Sequence, residues 1–174
     1  MQQEKSILII GAGRAGIRML EKAMTSDIPN VEYLAIDRDE EDLKKALIPK
    51  KICISKNQMS NLFNDSMIQP ELSHANKVFV LAGLGGQCGT SATVAIAKIA
   101  HSLGIPSYYI VTEPFSFEGR KRQEIAKTAI NELSQYGHTL TIHVDGYMDP
   151  KLTFRDVFSV IDNIVVQNIT DNLN

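Results

Sequence analysis

Short aliphatic and β-branched runs alternate along this chain with longer segments whose apolar positions recur every three to four residues, a pattern that predicts parallel strands joined by crossover helices. Strands are expected at Ser6–Ile10, Glu32–Ile36, Lys51–Ile54, Lys77–Ala82, Ser107–Val111 and Thr139–His143. Several are apolar throughout, as strands covered on both faces are. Helical periodicity falls on Ala15–Met24, Glu40–Ala46, Thr90–Leu103, Gly119–Tyr136 and about Thr153–Leu173, with Gly104 and Gly137 where C-terminal caps belong. Residues 55–76, polar and broken by Pro70, read as a loop with one short helix. The pattern predicts an α/β fold: a Rossmann-like three-layer sandwich with a mostly parallel six-stranded sheet and helices on both faces. Residues 1–174 form one domain in this reading, ending after the long last helix. On that helix Asp156, Ser159, Asn163, Gln167, Thr170 and Asn174 make one polar face, and Phe154, Phe158, Ile161, Val165 and Ile169 the opposite apolar face. A helix sandwiched between two domains is apolar on both sides, so this one is expected to be solvated behind.

Composition narrows the class. A chain of 174 residues is about one domain long, and 44% apolar residues, 22% charged residues and a formal net charge of −2 lie at the globular average. Near-neutral charge excludes bulk attraction to nucleic acid or to an anionic membrane. The apolar run Ile7–Ile10 is broken by Gly11, Gly13 and Arg14, too short for a signal peptide, and no stretch reaches the ~18 apolar residues a membrane helix needs. A cytoplasmic location is expected, with neither nucleic acid nor membrane as partner. Cys53 and Cys88 lack metal or redox spacing and read as reduced thiols. Cys88 stands where a helix N-terminus would lower a thiol pKa, although a small residue in a tight loop is the plainer reading. His74, His101, His138 and His143 show no metal-ligand or triad spacing, so neither a protein-held metal nor a catalytic residue is assigned.

Two glycine-rich turns carry the chemistry. The first, Gly11-Ala-Gly13-Arg14-Ala-Gly16, follows a strand and opens a helix, so free N–H groups and the positive end of the helix dipole can hold a phosphate. Asp37 follows the second strand about 20 residues on, where a dinucleotide fold keeps a carboxylate for a ribose hydroxyl. Alone, this fingerprint fits NAD or FAD, or a tight turn with no ligand. The second turn, Gly83-Leu-Gly85-Gly86-Gln87-Cys88-Gly89-Thr90-Ser91, again joins an apolar strand to a helix that Thr90 or Ser91 would cap. A dehydrogenase needs only one such cradle.

A third segment, Val111-Thr-Glu-Pro-Phe-Ser-Phe-Glu118-Gly-Arg-Lys-Arg122, resembles the ribose-binding loop of the FtsZ branch of the tubulin/FtsZ family, and Ala82–Ser91 resembles that family's glycine-rich signature loop. The resemblance runs in order from about Ser6 to the last helix and includes Val31-Glu-Tyr-Leu-Ala-Ile-Asp-Arg-Asp39. It implies an FtsZ-like domain binding GTP or GDP, with Mg2+ as an accompanying ion. Gly11, Gly13 and Gly16 would belong to the first phosphate loop, and Gly85, Gly86, Gly89 and Thr90 to the second. Glu118 would accept from ribose hydroxyls, Arg122 would lie beside the sugar or base, and Asp39 would stand near the phosphates and metal. An ordinary i,i+4 ion pair is the alternative for Glu118 and Arg122. Asp156-Val-Phe158-Ser-Val-Ile-Asp162-Asn163 resembles the base-reading segment, its Asp-Asn order inverted. Phe158 and Asp162 are one turn apart, so ring and carboxylate could hold guanine, whose N1–H and exocyclic amine are donors that adenine lacks. The alternative makes Phe158 a core residue.

Several positions depart from the family pattern. Gln87 and Cys88 replace a glycine and a threonine. Arg14 and Ile17 stand at usual glycines and Arg18 at a usual asparagine, the two arginines adding charge toward phosphates. The segment 55–76 is much shorter than the family segment that closes over the terminal phosphate. Family members continue beyond the last helix to a water-activating acid and a second domain, so the resemblance implies nucleotide binding without turnover. A regulator or capping partner of a cell-division filament, contacting an FtsZ-type subunit or a second copy, is the reading adopted. A fragment or degenerate GTPase active only with a partner subunit, and an NAD-dependent oxidoreductase domain, are the alternatives.

Overall fold

The computed structural model describes residues 6–54 and 65–174. The strands are β1 (Ser6–Ala12), β2 (Val31–Asp37), β3 (Lys50–Cys53), β4 (Ala75–Gly83), β5 (Ser107–Thr112) and β6 (His138–Ile142). The helices are α1 (Gly13–Met24), α2 (Glu40–Lys45), α3 (Asp65–Ser73), α4 (Gln87–Ser102), α5 (Arg120–Leu133) and α6 (Phe154–Asp171). All six strands pair in parallel in the order β3-β2-β1-β4-β5-β6. Alternate side chains of the central strands serve two cores. Leu8, Ile10, Val78 and Val80 meet Ile68 and Leu72 of α3, Ile96 of α4 and Leu133 of α5, while Ile9, Phe79 and Leu81 meet Leu20 of α1, Leu43 of α2 and Ile161 of α6. The predicted three-layer α/β sandwich is therefore the fold, with a wholly parallel sheet.

One local expectation is met and two are corrected. The short helix expected within 55–76 is α3, nine residues long, which Pro70 does not prevent. Proline removes one helical hydrogen bond, and the complete burial of Ile68 and Leu72 offsets the loss. The remainder of the expected loop, residues 55–64, lies outside the described residues. Helix α4 begins at Gln87 rather than Thr90, which places Gln87 and Cys88 in its first turn. Gly104 caps α4 as expected, at φ +68° with the Ile105 amide donating to the Ala100 carbonyl at 2.9 Å. Gly137 is not a cap: a Cβ there would lie 2.5 Å from the Ser107 carbonyl oxygen, so it is a close approach of the turn to β5.

Helix α6 divides its apolar residues in two. Val157, Ile161, Val165 and Ile169 form the buried stripe, whereas Phe154 is 52% exposed and Phe158 half-buried at its start. The expected apolar face thus splits, because an i,i+4 series beginning at Val157 meets the sheet and leaves the two phenylalanines to one side. Asp156, Ser159, Asn163, Gln167 and Thr170 are exposed, as the polar face predicts. The ammonium of Lys77, on β4, donates to the carbonyls of Asn172 and Leu173, favourably placed at the negative end of α6. Among the described residues no helix is long and apolar enough to cross a membrane.

Backbone contact fixes α1 on the sheet. A Cβ at Gly16 would fall 2.2 Å from the Leu81 carbonyl oxygen of β4, and one at Gly11 would fall 2.6 Å from the Gly16 oxygen. Gly86 has nothing within 4 Å of such a carbon. Chemical denaturation should therefore show Gly16→Ala losing about 1–3 kcal/mol or more through overpacking, and Gly86→Ala less than about 1 kcal/mol. Equal losses would contradict the packing.

Candidate functional site

Strand order reverses between β1 and β4: the chain leaves β1 toward β2 on one side, and β4 toward β5 on the other. Such a switch point opens a crevice at the carboxyl ends of the strands. A cleft of about 780 Å3 lies there, within the range of small-molecule sites. The start of α1 and the β2–α2 turn form one wall, and the turns after β4 and β5 form the other. Phe154, Phe158 and Ile161 of α6 close one end.

Three of the described helices start open, α5 after Gly119 and the two that follow the glycine turns. Helix α1 begins after Ala12 and α4 after Gly86, neither with a side-chain cap nor with an acid in its first turn. By contrast α2 is capped by Asp39, which accepts from the Glu41 and Asp42 amides at 2.9 and 3.1 Å, and α6 by Thr153, whose hydroxyl accepts from the Asp156 amide at 3.2 Å. The first N–H groups of a helix have no partner within it, so uncapped ends attract an anion. The two turns touch. Gly13 has φ +70°, and a Cβ there would lie 3.1 Å from the Gly89 nitrogen. Thr90 is not the cap of α4: buried, its hydroxyl accepts from the Gly85 amide at 3.0 Å and shapes the turn from behind.

Charged side chains around the cleft are engaged with one another. Arg14 pairs with Asp42 at 2.7 Å, a partner that raises the guanidinium pKa. The Arg38 guanidinium donates to Gln87 Oε1 at 2.7 Å, so Gln87 reaches across the rim instead of folding onto the glycine amides. Asp37, buried, accepts from the Arg38 amide at 2.7 Å and the Asp39 amide at 3.3 Å. The Asp42 and Glu41 amides hold the Asp39 carboxyl below its usual range. Burial, with Asp37 adding to it, pushes the Cys88 thiol up to about 11. This is the reverse of activation by a helix end, because loss of solvent outweighs the dipole. Among the described residues no group of three His, Cys, Asp or Glu side chains could hold a metal ion.

At the sugar and base end, Glu118 Oε2 accepts from the Phe115 amide at 2.7 Å, and its Oε1 accepts from Arg122 at 3.3 Å. Phe115, Phe117, Phe154 and Phe158 form an aromatic cluster. Arg18 reaches over from α1: its guanidinium lies 4.5 Å from the Phe158 ring centroid and donates to Asp162. Burial raises the Asp162 carboxyl pKa, and Arg18 opposes that shift.

The cleft thus gathers Gly13, Arg14, Arg18, Asp37, Asp39, Gly83, Gly86, Gln87, Cys88, Gly89, Glu118, Arg122 and Phe158 in its lining. Gly11, Gly16, Gly85, Thr90 and Asp162 stand behind that lining and support it. The lining residues that the sequence reading did not assign to the site include Arg38, Asp42, Phe117 and Glu113, the last accepting from His143. Phe117 and Glu113 lie in the quoted third segment, so an exposed aromatic beside Glu118 was the available signal. Nothing in local sequence marks Arg38 or Asp42, whose partners are 49 and 28 residues away.

Fold and site together define a doubly wound α/β domain with two uncapped helix starts facing a cleft at its switch point. Residues 6–145 match the model of the Tubulin/FtsZ family, GTPase domain, and the chain belongs to that family. It is 31% identical over 95% of its length to cell division protein FtsZ of Buchnera aphidicola and 32% identical over 97% to cell division protein FtsZ 1 of Pyrococcus furiosus. The chain spans about half of each relative, 48% and 50%. The empty FtsZ dimer of M. jannaschii superposes with a TM-score of 0.78 at 23% identity, covering 97% of this chain and 54% of that one. The GTPγS-bound CetZ2 protofilament of Haloferax volcanii superposes with a TM-score of 0.77 at 18% identity, covering 94% and 57%.

Iodoacetamide near pH 7.5 should label exposed Cys53 well ahead of Cys88, and Cys88 labelling should climb as pH approaches about 11. Asp37→Asn should move that climb to lower pH, since the carboxylate opposes thiolate formation. Peptide mass spectrometry reads both. Faster labelling of Cys88 at neutral pH would reveal an activated thiolate.

Proposed function

We propose that this chain is a guanine-nucleotide-binding domain, taking GTP or GDP in the switch-point cleft and acting in the cytoplasm as a regulator or cap of an FtsZ-type filament. One observation carries the binding reading: the uncapped N-termini of α1 and α4 converge on one cleft. They supply backbone N–H groups and two positive dipole ends where a diphosphate or triphosphate would lie. A bound Mg2+ would rest on the ligand's phosphates and water, the usual mode for that ion. Phe158 offers a ring face and Asp162 a carboxylate for guanine, and Glu118 an acceptor for the sugar.

Binding without turnover is supported by the carboxylates. Hydrolysis needs a group that positions the attacking water. Each of the five acids lining the cleft is engaged within the domain: Asp37 and Asp39 with backbone amides, Asp42 with Arg14, Glu113 with His143, and Glu118 with the Phe115 amide and Arg122. A subunit that offers its nucleotide face in a head-to-tail contact without turning over would hold a filament end. The second reading, a GTPase completed by a partner subunit, rests on the same cleft and differs only in who supplies the acid. The oxidoreductase reading loses support because Asp37 is turned into its own strand-to-helix turn.

Calorimetry should show GDP binding at micromolar or weaker affinity and more tightly than NADH; the reverse order would remove the guanine reading. Gly86→Asp gives a sharper check. An aspartate at the N-cap should stabilise the fold by a few tenths of a kcal/mol, yet weaken GDP binding about tenfold or more by placing a negative charge at the phosphates. If binding survives that change, the phosphates lie elsewhere. GTP incubated with the chain alone should release no phosphate and give no filament light scattering. Phosphate release on adding a polymerising FtsZ-type subunit would favour the second reading.

A further inference from the structure

The base end of the cleft is held by part of the chain itself. Phe158 and Asp162 lie one turn apart on α6, and both are engaged by one group, the Arg18 guanidinium. Phe115 meets the Phe158 ring in a T-shaped contact at 6.1 Å between centroids, Phe154 lies tilted at 6.4 Å, and Arg18 stands 4.5 Å from the ring centroid. The Arg18 side chain is one-third exposed, so its guanidinium can leave without unpacking the core. Its chemistry is informative. A guanidinium is a planar carbon bonded to nitrogens whose N–H groups point outward in the plane. The N1–H, C2 and exocyclic amine edge of guanine is the same arrangement, a planar carbon flanked by nitrogen donors. Either can lie over an aromatic face while donating to a carboxylate.

We propose that Arg18 is an internal competitor for the base subsite: its guanidinium occupies on Phe158 and Asp162 the place of a guanine edge, and a guanine nucleotide binds there only by displacing it. The inference rests on reading the cleft as a guanine-nucleotide site and adds what sets its selectivity. Adenine has no donor pair with which to replace Arg18 at Asp162, so an adenine nucleotide is held by its phosphates and sugar. The open helix ends bind phosphate whichever way Arg18 lies. Guanine selectivity is therefore present but masked, and any partner or modification that draws Arg18 away would unmask it.

The experiment compares the wild-type chain with Arg18→Ala and Arg18→Gln, titrating each with GDP, ADP and pyrophosphate by calorimetry and checking each fold by chemical denaturation. A site closed nine-tenths of the time weakens its ligand about tenfold. Removing the competitor should therefore strengthen GDP by about tenfold or more, with ADP and pyrophosphate changing less than about twofold. The glutamine variant, which keeps much of the packing, should behave likewise, so a folding defect in the alanine variant leaves the test intact. If GDP and pyrophosphate weaken together, Arg18 is a phosphate ligand and the proposal is overturned. If wild type prefers GDP to ADP and neither variant widens that gap, the guanine site stands and the competitor role alone falls. If no folded variant binds GDP, the guanine-site reading itself has failed and takes the proposal with it.

Discussion

The approach of α1 to the sheet is the constraint from which the site follows. Gly16 lies so close to the Leu81 carbonyl that only hydrogen fits between them, and Gly11 lies as tightly under Gly16. These contacts fix α1 over the β1–β4 boundary, where strand order reverses. Once α1 is fixed, its first turn meets the first turn of α4 through Gly13 and Gly89. Two helix ends that would otherwise point at separate patches of solvent then share a cleft. Leucine and isoleucine burial on both faces stabilises the sandwich, but several arrangements of these helices would bury comparable apolar surface. The glycine contacts select the one that forms the cradle.

Around the cleft the arginines are engaged with other side chains, which leaves backbone N–H groups as its free donors. Arg14 is paired with Asp42, Arg38 with Gln87, and Arg18 with Asp162 and the Phe158 ring. The cation of an exposed pair such as Arg14–Asp42 is screened by solvent and gives little field in the cleft. The N–H groups at the starts of α1 and α4 point in directions set by the helices and need no reorganisation to meet a phosphate. The same balance explains Cys88. At a helix start its thiol would be acidified in water, but its burial beside Asp37 dominates.

Two kinds of sequence signal were legible for different reasons. The strand and helix pattern was readable because burial on both sheet faces imposes apolar runs and an amphipathic period that no local chemistry can imitate. The two turns were readable because close approach of backbone to backbone, or to a ligand, admits only glycine, as at Gly13 and Gly16. Helix α3 was legible only in part, since Pro70 and polar neighbours argue against a helix that Ile68 and Leu72 then stabilise through contacts distant in sequence. Gly137 was misplaced as a cap because a glycine required by a neighbouring strand looks the same in sequence as one required by a positive φ.

The sequence by itself determined the layered α/β class and the two glycine turns, whereas the placing of Glu118, Arg122 and Phe158 at one end of the cleft was only implied by a family resemblance. The class and the turns are written in local spacing, one turn of helix or one strand-to-helix junction long. Only the tertiary structure decided which polar groups are spent on one another. Arg18 and Asp162 are 144 residues apart, Arg38 and Gln87 49, and Arg14 and Asp42 28. It also decided that α4 starts at Gln87, leaving Thr90 to brace the turn from within. Charges and hydroxyls reveal their partners only when packing brings distant elements within hydrogen-bond reach, because their interactions depend on distance and solvent exclusion rather than on order along the chain.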